Sequence, residues 1–154
     1  MVTANLTSNF ENATARFHQA SAQTQLAVLR YLVQKIHKAS KTATPSALFS
    51  QKVHGVLQQV QQLPKEERLE ALAEILKGAP TRLAEVYEGL DTNMRMAFWY
   101  RLVNRYQEAV LLPVLHATPL HPEQERLLMD LESRDSNELV TFLRDVLADG
   151  PAPL

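Results

Sequence analysis

Cysteine is absent from this 154-residue chain, which removes disulfides, thiolate metal sites and a cysteine nucleophile together. Glycine is nearly as scarce. Gly55, Gly78, Gly89 and Gly150 stand alone, so no glycine-rich phosphate loop can form. An excess of charge is missing too: the formal net charge is −1, whereas a protein held to nucleic acid by phosphate contacts needs a strong basic surplus. The longest apolar run, "AVLLPVL", is far short of the ~20 residues a membrane helix requires, and Pro113 interrupts it. The first residues carry neither a basic n-region nor an apolar h-region, so no signal peptide is expected. These absences predict a soluble, cytoplasmic protein with no transmembrane segment and no nucleic-acid partner.

What is present belongs to a globular domain. The chain is 45% apolar and 21% charged, enough to bury roughly 70% of the surface that an unfolded chain of this length exposes. No linker, low-complexity tract or internal repeat divides it, which predicts one domain over residues 1–154 with a core from about 10 to 150. Charge is nonetheless uneven. Up to Val60 the sole carboxylate is Glu11, against Arg16, Arg30, Lys35, Lys38, Lys41 and Lys52. That imbalance reads either as solvated helix faces or as a basic surface that docks on an acidic protein.

The punctuation predicts an all-α fold of about eight helices. Ser21 can cap a helix bearing Leu26, Leu29, Val33 and Ile36 at three- and four-residue spacing. Thr44-Pro45 opens a second, and Pro64 a third that Gly78 closes. Pro80 starts a short helix ending near Gly89, and Asp91 or Thr92 caps the next, which runs to about Leu111. His121-Pro122 begins another, and Asp135 with Glu138 forms a capping box for the last. "LVTF" is a weak strand candidate within that final segment.

Enzyme chemistry finds no support in this pattern. His18, His37 and His54 are dispersed, His116 and His121 flank a proline-containing loop, and no metal-binding pair of histidines occurs on a helix. No serine sits in a nucleophile elbow, and the carboxylates fall on exposed-looking faces. A non-enzymatic protein without a metal is the expectation.

The most distinctive stretch is "NMRMAFWYRL", Asn93 to Leu102, which sets the single tryptophan between a phenylalanine and a tyrosine. On a 3.6-residue helix Trp99, Leu102, Tyr106 and Val110 share a stripe, and Met94, Met96 and Phe98 widen the apolar arc to most of the circumference. Such a helix is buried between other elements. Periodicity alone reads it as a central bundle helix packed with aromatics.

The same stretch resembles the Phe-Trp-Tyr-Arg-Leu segment in the N-terminal domain of the cyanobacterial orange carotenoid protein and its single-domain relatives, the helical carotenoid proteins. "TARFHQASAQTQLAVL" is similar to that family's opening element, and "LVTFLRD" to its closing Leu-Arg element. The three align without gaps over roughly Ala13 to Gly150. The resemblance implies two interleaved helical bundles with a keto-carotenoid, echinenone- or canthaxanthin-like, in an apolar channel between them. It implies Trp99 as the residue that stacks on the pigment's end ring, with Tyr100, Leu26, Leu29 and Pro113 at channel positions. Arg144 matches an arginine that contacts the light-sensing domain or the antenna. The implied function is photoprotection by quenching singlet oxygen or phycobilisome excitation. The implied partners are a phycobilisome or photosystem antenna protein and a separate carotenoid-binding homologue of the C-terminal domain, which places the protein at the cytoplasmic face of the thylakoid.

Such a ligand makes physical sense beside these residues. A carotenoid is an apolar rod roughly 30 Å long, the length of a helix of about 20 residues, and each buried methylene-sized group contributes about 0.8 kcal/mol. Departures from the family pattern fall at the channel itself. Val33 occupies a tyrosine position, Arg30 a tryptophan position, Leu72 and Tyr106 methionine positions, and Leu115 a proline position. They leave an alternative open: a pigment-free scaffold of the same fold that docks on a phycobilisome or photosystem.

Overall fold

The structure is a computed structural model, and it describes residues 13–39, 50–105 and 122–148. These residues form eight helical segments and no strand. They are α1 (13–19), α2 (Ala22–Ala39), α3 (Gln51–Gln62), α4 (Lys65–Lys77), α5 (Arg82–Glu88), α6 (Thr92–Arg105), α7 (Pro122–Glu132) and α8 (Ser136–Ala148). "LVTF" lies inside α8, with Leu139 and Phe142 buried. Its β-branched residues are outvoted by the capping box in front of it and by Leu143, Val146 and Leu147, which continue a helical stripe.

Local chemistry sets the boundaries. The Ser21 hydroxyl accepts the backbone N–H of Thr24 at 3.2 Å and so caps α2. Asp91 does the same for α6, accepting from the Met94 N–H at 2.8 Å. Asp135 accepts from the Glu138 N–H at 2.8 Å, while the Glu138 carboxylate accepts in return from the Asp135 N–H at 3.4 Å. Gly78, at φ 63°, ends α4 in the left-handed region that a side chain would strain. Thr81 rather than Pro80 caps α5, its hydroxyl accepting from the Ala84 N–H.

The packing order interleaves the chain. α2 packs against α4, α6, α7 and α8, so an early helix meets the last two. The intervening α3, α4 and α5 pack on one another, and α3 also packs on α6. α6 touches α2, α3 and α8 and thereby joins the two groups. Both bridging helices are apolar over much of their circumference: α2 buries Leu26, Val28, Leu29, Leu32, Val33 and Ile36 at 0% exposure.

Candidate functional site

α2 and α6 face each other through the centre of the core, and most of the residues implied as channel wall lie there. Leu26, Leu29 and Val33 on α2, Leu72 on α4 and Trp99 on α6 are fully buried, Tyr100 is 2% exposed, and all six belong to one contiguous apolar cluster. Tyr106 and Pro113 lie outside the described residues. Arg144 stands apart from the cluster, exposed on α8.

The three consecutive aromatics do different things. Phe98 is wholly buried and meets Trp99 edge to face, with ring centroids 4.9 Å apart. Trp99 donates its Nε1–H to the hydroxyl of Tyr87 at 2.9 Å, across the α5–α6 turn. Tyr87 in turn sits edge-on to Phe98 at 5.4 Å and to Trp99 at 6.3 Å. Burial pushes the Tyr87 phenol well above its ordinary pKa, so it stays neutral at physiological pH.

Tyr100 is the exception. Its hydroxyl is buried with no hydrogen-bond partner among the described residues. Burial pushes this phenol up to about 12, so it too holds its proton. A buried, unpaired O–H costs about 1–3 kcal/mol, which a ligand with an acceptor oxygen can recover. The Tyr31 hydroxyl on α2 is likewise buried and unpaired, but its ring carries the Lys35 ammonium at 6.0 Å from the centroid, toward the half-buried side of the helix.

The two departures on α2 are buried to different degrees. Val33 is sealed in the core, whereas Arg30 is only half-buried. The buried guanidinium of Arg101, on α6, lies 3.1 Å from His54 Nδ1 on α3.

Sequence reading missed Tyr87 and Arg95. The Arg95 guanidinium sits 5.5 Å from the Tyr87 ring centroid and donates to the carbonyls of Leu147 at 2.7 Å and Glu88 at 2.8 Å. Tyr87 precedes Trp99 by twelve residues across a helix break, and no local spacing rule connects the two. Tyr87 and Arg95 also line a cavity of about 250 Å³ together with Phe17, Ile75, Val146 and Leu147. Among the described residues no group of three or more histidines and carboxylates could hold a metal ion, and no helix is long and apolar enough to cross a membrane.

An all-helical, interleaved domain whose aromatic helix is walled by leucines defines a class, and comparison with known proteins supplies the family. The family model described as "Orange carotenoid protein, N-terminal" matches residues 3–150, and the chain belongs to that family. An orange carotenoid-binding protein of Synechocystis sp. is 25% identical over 135 residues, covering 88% of this chain and 43% of that protein. An orange carotenoid-binding domain-containing protein of Nostoc sp. is 29% identical over 139 residues, covering 90% of this chain and 81% of that protein. Among solved structures, the orange carotenoid protein of Anabaena (Nostoc) sp. binding canthaxanthin superposes with a TM-score of 0.79 at 27% identity. That superposition covers 94% of this chain and 46% of the solved one. The chain thus spans less than half of the Synechocystis relative and of this solved structure.

Proposed function

We propose that this chain is a carotenoid-binding module that holds a keto-carotenoid of the canthaxanthin or echinenone kind between α2 and α6. The observation that carries the reading is the buried Tyr100 hydroxyl, which has no hydrogen-bond partner among the described residues, in the same apolar cluster as Trp99, Leu26, Leu29, Val33 and Leu72. The wall offers an apolar rod only hydrocarbon contact. Trp99 adds a flat face, worth about 0.5–1.5 kcal/mol beyond buried area. The Tyr100 O–H adds a donor suited to a ring ketone. Family membership supports the reading, as does the canthaxanthin bound by the Anabaena relative.

When bound, a conjugated carotenoid supplies low-lying electronic states that accept energy from singlet oxygen or an excited antenna chromophore. The residues around it exclude water and fix its end ring. Photoprotection is therefore the biological role, with a phycobilisome or photosystem antenna protein as the docking partner. Exposed Arg144, Lys35, Lys38 and Lys52 provide cationic contacts for an acidic surface. The module acts as a binding protein and not as an enzyme.

Expression in a canthaxanthin-producing host tests this. The purified protein should be coloured, with pigment near one per chain. A well-folded but colourless product from several pigment backgrounds overturns the reading in favour of the pigment-free scaffold, which Val33 and Arg30 would then explain.

A further inference from the structure

The indole of Trp99 has a single polar atom, and full burial obliges that N–H to find an acceptor within the protein. The acceptor is the Tyr87 hydroxyl, 2.9 Å away on α5. Tyr87 owes its own placement to other contacts. Its ring lies edge-on to Phe98, and the Arg95 guanidinium sits over it at 5.5 Å. Arg95 is tied by both terminal nitrogens to main-chain carbonyls, Glu88 at the end of α5 and Leu147 near the end of α8. A chain of contacts therefore runs from the ends of α5 and α8, through Arg95 and Tyr87, to the far edge of the indole.

That edge matters because the second side-chain torsion of tryptophan is soft. Rotation about the bond joining an sp³ carbon to an aromatic ring is broad, unlike the staggered wells of aliphatic torsions. Packing with Phe98 and Tyr87 restricts the indole, and the directional bond at Nε1 favours the tilt that points its N–H at the Tyr87 hydroxyl. The tilt decides which face a neighbouring ring meets.

We propose that Tyr87 is the positioning residue for Trp99, clamped by Arg95, so that the face the indole presents to a bound ring is set from α5 and the end of α8 and not by α6 alone. The ligand half of this statement rests on the carotenoid reading above; the positioning half does not. It extends the site to two residues that never need to touch the pigment.

Trp99 is the chain's single tryptophan, so intrinsic fluorescence and the tryptophan band of near-UV circular dichroism report on this indole without any pigment. Tyr87→Phe keeps the ring and removes the acceptor. In the pigment-free protein it should shift the emission maximum and reduce the tryptophan dichroism about twofold or more. In the protein coexpressed with canthaxanthin it should lower pigment retention by roughly tenfold, the scale of one hydrogen bond to a buried donor, and alter the pigment's visible dichroism. In a Trp99→Phe background, which has no indole N–H, the same Tyr87→Phe change should leave retention unaffected, because the coupling between the two sites is gone. Arg95→Met, which spares both bonded atoms, should move the same signals in the same direction by less and serves as the readout if Tyr87→Phe fails to fold.

Unchanged tryptophan signals in Tyr87→Phe overturn the proposal whether or not pigment binds. Altered tryptophan signals with unchanged retention and visible dichroism, in a coloured wild type, overturn its ligand half. A colourless wild type defeats the carotenoid reading and the ligand half with it, while the pigment-free measurements still decide whether Tyr87 orients Trp99.

Discussion

α2 and α6 bury their facing residues equally well but with different chemistry. The α2 wall is aliphatic, with Leu26, Leu29 and Val33 making only dispersion contacts. The α6 wall is aromatic and polar at its edges, with Trp99 bonded to Tyr87, Asn104 Nδ2 donating to the Tyr100 carbonyl at 2.9 Å, and the Tyr100 hydroxyl held without a partner. An aliphatic surface is adaptable, because its contacts carry no direction. A hydrogen-bonded aromatic surface fixes an orientation. On the proposed carotenoid reading, the α6 side sets how a ring is held, and the α2 side sets how much of it fits.

Removing the directional side should have the largest effect. Trp99→Ala deletes a fully buried indole and strands the Tyr87 hydroxyl, so stability should fall by about 3–5 kcal/mol in urea denaturation and pigment should be lost altogether. If pigment is retained at the wild-type level, the aliphatic wall suffices and the contrast collapses. Restoring an aromatic on α2 should act more gently. Val33→Tyr should raise canthaxanthin retention roughly two- to tenfold, from the ~0.5–1.5 kcal/mol of one added ring contact. A stability loss of about 1–3 kcal/mol with no gain in retention would show instead that Val33 is packed in solid core.

Alkaline pH should report on both buried phenols of this aromatic region. The folded state holds Tyr100 protonated up to about 12, and Tyr87 beyond that, whereas in the unfolded chain both ionise near 10.0. The unfolded state therefore binds fewer protons above pH 10, so stability is unaffected below that value and declines as pH rises through the folded pKa values. Difference absorbance should find these two phenols ionising well above the range of an exposed tyrosine, Tyr100 at about 12 unless unfolding comes first. In Tyr100→Phe the decline should be shallower, and an identical slope would assign it to other groups. The smallest effect concerns the surface. Arg144→Glu should weaken co-sedimentation with phycobilisomes at low salt, by the ~1 kcal/mol or less typical of an exposed charge pair. Wild-type binding should itself fade as ionic strength shortens the Debye length below about 8 Å. Equal recovery of both proteins at both salt levels would remove Arg144 from the interface.

Features governed by chain-local chemistry were legible in the sequence. The Ser21 cap, the Asp135–Glu138 box, the Gly78 stop and the α2 stripe each depend on residues within four positions of one another. Family resemblance added Trp99 and Tyr100 as a pair, and the structure buries both. "LVTF" misled because four residues cannot distinguish a strand from a buried turn of helix; the caps around them can. The Arg95–Tyr87–Trp99 chain was invisible for another reason. Arg95 bonds a carbonyl 52 positions away, and main-chain acceptors leave no mark on residue type. Arg30 posed the converse problem, since its identity argues against a fully buried channel position, and the structure leaves the residue half-buried.

The end of α1 has a consequence for how the domain opens. Helical carbonyls in a last turn lack partners within their own helix, and here other elements supply them. Gln25 Nε2 on α2 donates to Phe17 O at 2.6 Å and to His18 O at 3.4 Å, and Lys77 Nζ at the end of α4 donates to His18 O and Ala20 O. Segments this short melt readily when isolated. With its last carbonyls held by two other helices and Phe17 edge-on against Phe142, the last turn of α1 cannot fray alone. The amide protons of that turn should exchange with solvent only when α2 and α4 release it, so their protection factors measure a cooperative opening and not the strength of one turn of helix.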